Sequence, residues 1–271
     1  MLLKGHDWTN FYALMKRKTG LDLNLYKQDQ LQRRILSMAE TKGTQDLEVF
    51  WRSISGSNDD IQWFMDKLAI NVSELFRNPE KWQEMETKIL PQLLKGTPRL
   101  KCWSAGCSYG AEAHTLAAIF ALNFPGAHQI IGSDIDVAAL DQAKRGEFSE
   151  NDIRFVPSKY KDKYFEPFTS GWRAKPDLKK YLSFRKGDLL GDRFETGFDL
   201  IMCRNVVIYF TDEAKEELYR KFYAALKPGG LLFVGSTERI FSAKEIGFTT
   251  ALPFYYQKPM EGNQQLWRNA S

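Results

Sequence analysis

The sequence predicts a doubly wound α/β fold, with a small antiparallel β insertion in its sheet domain and an all-helical domain in front. Three observations predict it. Residues 1–90 carry apolar side chains at helical spacing; from residue 99 onward short apolar strands alternate with helical segments; and residues 148–182 break that alternation with a mixture of aromatic and charged residues.

The front segments come first. "WTNFYALMKRKTG" (8–20) sets Trp8, Phe11, Tyr12 and Met15 on one stripe and ends on Gly20. "KQDQLQRRILSMAETKG" (27–43) aligns Leu31, Ile35 and Met38 and stops at Gly43. "DDIQWFMDKLAI" (59–70) opens on two aspartates suited to an N-cap and first turn, and carries Ile61, Phe64, Met65 and Leu68 inward. Gly96 and Pro98 then punctuate the chain. Beyond them we read a strand at 99–105, a helix at 111–124, a strand at 128–135 and a helix at 137–148. Further strands follow at 181–188 and 198–206, then a helix at 212–226 ended by "KPGG" and a strand at 231–238. The expected division is a helical domain over 1–90 and a sheet domain over 91–271, with its insertion at about 148–182.

The chain has 271 residues, 43% hydrophobic and 27% charged, enough for a sizeable core. Its apolar runs fall short of the roughly 20 residues that cross a bilayer, and "MLLKGHDW" meets charge at once, so neither membrane insertion nor a signal peptide is expected. Cys102, Cys107 and Cys203 form no CxxC pair, which points to a reducing cytoplasm without disulfides. His6, His114 and His128 have no metal-ligand spacing, so no metal is expected. The net charge is +4, and residues 16–34 gather Lys16, Arg17, Lys18, Lys27, Arg33 and Arg34 against Asp22 and Asp29. Such a face suits an acidic protein surface, RNA, or simply solvent.

The stretch "CWSAGCSYGAEAHTLA" (102–117) runs from a strand through a glycine turn straight into a helix. Glycines let backbone approach a ligand closely, and amides at a helix start offer donors. "IIGSDID" ends a strand on Asp134, 24 residues past Gly110, the distance at which an acid meets a ribose hydroxyl pair. Neither GxGxxG nor GxxxxGK[ST] is present, so a nucleoside ligand without phosphate, such as S-adenosylmethionine, fits better than a dinucleotide or ATP.

Five stretches in this order, "NVSELFR" (71–77), the glycine segment, "GSDID" (132–136), "FDLIMCRNVVIYF" (198–210) and "LKPGGLLFVGSTE" (226–238), resemble the CheR family. Its members are S-adenosylmethionine-dependent chemotaxis-receptor glutamate methyltransferases with a Rossmann-like sheet. The resemblance covers nearly the whole chain. It implies donor-binding roles for Asn71, Ser73, Arg77, Ala105, Gly106, Glu112, Asp134, Asp188, Leu189 and Asn205, and catalytic roles for Arg77 and Tyr209. Glu112 would meet the cationic amino group of the methyl donor, Asp134 its ribose, and Asp188 and Leu189 its adenine. Ala111, His114 and Asp188 stand where the family usually has Glu, Tyr and Asn.

The resemblance also implies an acidic chemoreceptor helical bundle as partner, met by the basic face around Lys27, Arg33 and Arg34, and S-adenosylhomocysteine as product. The short connection "EPFTSGW" (166–172) points to an enzyme that needs no C-terminal tether peptide of the receptor. No basic stripe interleaved with aromatics reaches the site, so no nucleic-acid partner is expected. A methyltransferase of RNA or of another protein, and a non-catalytic S-adenosylmethionine sensor or interaction module, stay open as alternatives.

Overall fold

The computed structural model describes residues 7–69, 73–169 and 171–260. Four helices form the front: α1 (Trp8–Thr19), α2 (Gln28–Thr41), α3 (Leu47–Ser55) and α4 (Asn58–Leu68). Side chains of Asp7, Asp46 and Ser57 accept the first amides of α1, α3 and α4, each such cap being worth about 1 kcal/mol. Ser57 is thus the cap of α4, and Asp59 and Asp60 occupy its first turn. Gly20 closes α1 in the left-handed conformation, at φ 82°. Phe11, Met15, Ile35, Phe50 and Phe64 fill the core between these helices, with Phe11 stacked on Phe50 at 6.0 Å.

Two short helices follow, α5 (Pro79–Glu84) and α6 (Leu90–Leu94), joined by a π turn over Met85–Ile89. Pro91 has no N–H to give to the Thr87 carbonyl, and the wider turn before it absorbs that gap. Trp82, Met85, Ile89 and Leu90 pack into the core beneath the sheet and not among the front helices.

The remaining chain runs β1 (Lys101–Ala105), α7 (Ala111–Asn123), β2 (Gln129–Asp134), α8 (Val137–Arg145), β3 (Glu147–Phe148), α9 (Ser158–Tyr164), β4 (Phe165–Phe168), β5 (Gly171–Ala174), α10 (Pro176–Lys179), β6 (Leu182–Lys186), β7 (Phe198–Cys203), α11 (Asp212–Ala225), β8 (Leu226–Val234), α12 (Ala243–Ile246), β9 (Thr249–Leu252) and β10 (Tyr255–Gln257). The main sheet has the order β6-β2-β1-β7-β8-β10-β9, parallel from β6 to β8, with β10 antiparallel to both neighbours. Every residue of β7 is buried, as a central parallel strand requires. The chain steps outward from β1 through β2 to β6 and resumes at β7 on the other side of β1. That reversal opens a crevice at the carboxyl ends of β1 and β7.

Two features depart from the sequence reading. "KPGG" does not separate α11 from a later strand: β8 begins at Leu226 and includes it. Gly229 takes φ 83° where the β7–β8 register shifts, and a Cβ on Gly230 would stand 2.9 Å from the Phe198 carbonyl. The glycines therefore make a bulge inside the strand, close against β7. The terminal pair β9–β10 extends the sheet beyond the strands read from the sequence.

The insertion forms the small antiparallel sheet β3-β5-β4. A Cβ on Gly171 would collide with the Phe148 carbonyl, so the crossing of β5 over β3 needs glycine. His114 of α7 ties this sheet to the main one. It stacks on Phe184 of β6 at 5.7 Å, meets Phe148 of β3 edge-on at 5.1 Å, and its Nδ1–H reaches the Gly110 carbonyl at 2.8 Å.

A short bridge joins the front helices to the sheet. Tyr26 pairs antiparallel with Phe210, Lys27 N–H donates to the Tyr209 carbonyl at 2.9 Å, and Thr211 N–H to the Leu25 carbonyl at 2.9 Å.

Burial depresses the His114 pKa from 6.5 to about 4. Between those values the unfolded chain binds the proton and the folded one does not, so stability falls as pH drops from about 6.5 toward 4. We expect His114→Phe, which keeps the ring packing, to lose up to about 3 kcal/mol of that pH dependence. Urea unfolding of both proteins at pH 7.5 and 4.5 measures it; equal slopes would refute it.

Candidate active site

The crevice at the carboxyl ends of β1, β2, β6 and β7 is walled on its open side by the front helices, through Tyr26, Leu31, Arg34 and Met65. The glycine turn forms its floor. Gly106 sits at φ 73°, and the amides of Gly106 and Cys107 both donate to the Ser133 carbonyl at 2.9 Å. A Cβ at Gly106 would come 2.6 Å from Val206 Cγ2, so the turns after β1 and β7 touch here and only glycine fits. Ser108, at φ 50°, donates its N–H to Asp134 Oδ2 at 2.7 Å, and Asp136 N–H donates to Oδ1 at 3.0 Å. Burial raises the Asp134 pKa, and these amides hold it down. With about four lone-pair sites and these amides on it, the carboxylate keeps capacity to accept from a ligand.

Glu112 stands in the first turn of α7. Its Oε1 accepts from Ser104 Oγ at 3.2 Å and its Oε2 pairs with Arg204 Nη1 at 3.2 Å. Burial raises the Glu112 pKa and the guanidinium of Arg204 pulls it back. Arg204 is itself buried: Nη2 donates to Asn78 Oδ1 at 2.9 Å and to the Arg77 carbonyl at 3.3 Å, and the guanidinium lies over Phe233 at 4.8 Å.

The segment leading into α5 is tightly held. Trp82 Nε1–H also donates to the Arg77 carbonyl, at 3.0 Å, while Phe76 and Asn78 have φ of 55° and 60°. The Arg77 side chain enters the pocket with Tyr209, and the charges of Arg77 and Arg34 both favour the Tyr209 phenolate, though burial outweighs them and raises its pKa. Asn205 follows β7 at φ 61°, its N–H donated to Glu238 Oε2 at 2.8 Å. Glu238 takes the Gly235 amide at 2.7 Å with the same oxygen. Of the five non-glycine residues at positive φ among those described, Ser108 and Asn205 line this pocket, and Phe76 and Asn78 flank Arg77, which does.

The structure brings together Ser73, Arg77, Gly106, Glu112, Asp134, Asp188, Leu189, Asn205 and Tyr209. Ala105 is buried behind the turn, outside the lining, and Asn71 lies outside the described residues. Asp188 is partly committed, because its Oδ1 accepts the Leu190 amide at 2.9 Å and closes its own turn. Arg34 corrects the reading of a basic outer face. It turns inward, donating to the Lys67 and Ala69 carbonyls at 2.6 and 2.8 Å and so capping α4. Lys27 and Arg33 remain exposed. The sequence reading names no role for Tyr26, Arg204 or Glu238; a charged residue directly after an apolar strand, as in "CRN", is the signal for Arg204. Among the described residues no cluster of His, Cys, Asp and Glu could hold a metal, and no helix is long and apolar enough to cross a membrane.

This pocket has the parts for a nucleoside carrying a cationic amino acid: a glycine floor, a buried acid at the end of β2, and a second acid at the start of α7. Comparison with known proteins agrees. Residues 6–69 match the family model "CheR methyltransferase, all-alpha domain" and residues 71–252 match "CheR methyltransferase, SAM binding domain". Proteins named chemotaxis protein methyltransferase from Listeria monocytogenes and Listeria innocua are each 36% identical over 254 residues, covering 93% of this chain and 97% of theirs. One from Borreliella burgdorferi is 30% identical over 256 residues, covering 88% of this chain and 89% of its own. The chain belongs to the CheR family of S-adenosylmethionine-dependent chemotaxis protein methyltransferases.

Proposed function

We propose that this protein methylates glutamate carboxylates of a chemotaxis receptor in the cytoplasm and that the pocket residues divide the work as follows. The observation that carries the reading is the convergence of Asp134, Glu112, Arg77 and Tyr209 on one pocket between the front helices and the sheet. Asp134 accepts the ribose hydroxyls, Glu112 faces the donor's ammonium, and Leu189 lies against its adenine. The bound donor supplies an electrophilic methyl group on a sulfonium.

A glutamate side chain, with an ordinary pKa near ~4.3, is already ionised at neutral pH, so the site needs no general base. What remains is alignment and exclusion of water. Arg77 orients the incoming carboxylate through charge-assisted hydrogen bonds, and the Tyr209 hydroxyl, a phenol that burial moves further from ionisation, donates to it. Exposed Lys27 and Arg33, with Arg17 and Lys18 of α1, face the acidic receptor bundle. The division of the chain that we favour is a helical receptor-facing unit and a sheet unit that carries the insertion. The relatives' shared name does not favour the RNA or sensor readings.

Three outcomes follow. Labelled methyl groups passed from S-adenosylmethionine to chemoreceptor membranes will be released by base, as an ester requires; base-stable label would refute glutamyl transfer. Arg77→Ala will lower kcat by roughly tenfold or more, the scale of one lost charge-assisted hydrogen bond, while S-adenosylhomocysteine binds within about twofold in calorimetry. Normal turnover would remove Arg77 from the chemistry. A receptor-tail pentapeptide will show no tight binding to the insertion in the same calorimeter; a micromolar Kd would contradict tether-independent action.

A further inference from the structure

We propose that the Tyr26 hydroxyl, carried by the front helices, hydrogen-bonds the adenosine half of the methyl donor. The inference rests on the donor reading above and adds to it a residue from the other unit of the chain.

Tyr26 lines the pocket beside Asp134, Gly187, Asp188 and Leu189, at the end assigned to adenosine. Its backbone is fixed from both sides. It pairs with Phe210 across the bridge, its N–H donates to the Leu23 carbonyl at 3.3 Å, and its carbonyl accepts from Gln28 Nε2 at 2.7 Å. The ring meets Phe210 edge-on, with centroids 5.2 Å apart and planes at 85°. With ring and backbone both held, the phenol stays in the pocket close enough to Asp188 and Asp134 to feel both charges.

The chemistry of that end calls for such a group. A carboxylate accepts hydrogen bonds and cannot donate them, and one oxygen of Asp188 is already taken by the Leu190 amide. Adenine presents ring nitrogens that accept, and ribose presents hydroxyls that do both. Carboxylates alone leave the accepting atoms unserved. A phenol both donates and accepts, and burial together with the Asp188 and Asp134 charges raises its pKa far above the ordinary value, so its proton stays on. Recognition of adenosine therefore crosses from the sheet to the front helices.

Calorimetric titration of S-adenosylhomocysteine into the full-length protein tests this with Tyr26→Phe and Tyr26→Ala. Tyr26→Phe keeps the ring against Phe210, and its melting temperature reports the fold. We expect the Phe variant to melt as wild type yet bind about fivefold to tenfold more weakly, with the Ala variant weaker again and the receptor KM of the Phe variant unchanged. A wild-type Kd in Tyr26→Phe overturns the proposal, and so does a loss confined to Tyr26→Ala, which would assign the effect to packing. A wild-type protein that fails to bind S-adenosylhomocysteine overturns the donor reading itself.

Discussion

The site depends on the short backbone bridge between Leu25–Lys27 and Tyr209–Thr211. Without it, the crevice at the ends of β1 and β7 would be an open groove on one face of a sheet. With it, four helices become the facing wall, and Tyr26, Leu31, Arg34 and Met65 close over the glycine turn. Two amide–carbonyl bonds are modest in energy, about 1 kcal/mol each. Their effect is mainly one of register, since they fix Tyr209 on one side and Tyr26 on the other. The front helices and the strands that carry the glycine turn are thereby set at one distance from each other.

Behind that wall lies a buried polar network. Arg204 holds Glu112, Asn78 and the Arg77 carbonyl together, and Glu238 holds the amide that fixes Asn205. A buried ion pair contributes little net stability against its desolvation cost, but loss of one partner leaves an uncompensated charge. The network therefore serves placement more than stability: it keeps the segment before α5, the start of α7 and the end of β7 in one arrangement. Such pre-set geometry is what transfer to an already ionised nucleophile requires, because proton transfer offers nothing further to gain.

Much of this is legible in the sequence, for identifiable reasons. Strand and helix periods differ, so the alternation after residue 99 is visible, and the glycine turn and Asp134 announce themselves by residue type and spacing. The direction of a long side chain is another matter. Arg33 and Arg34 are neighbours of the same kind, and helix geometry alone turns one outward and the other onto the end of α4. "KPGG" reads as a stop because glycine and proline usually are one; that they form a bulge within β8 depends on the closeness of β7, a tertiary fact. Tyr26 is likewise silent in sequence, since its role comes from a contact with residue 210, far along the chain.

The left-handed residues around the pocket carry a consequence for how this protein can change. Ser108 and Asn205 hold conformations that glycine would adopt freely, at a cost of order 1–3 kcal/mol each. Glycine there would relieve the strain and also widen the range of shapes open to the unliganded loops. Selection for thermal robustness and selection for turnover therefore pull these two positions in opposite directions. Stabilising drift in this chain has freer room in the front helices and the outer strands than at the rim of the crevice.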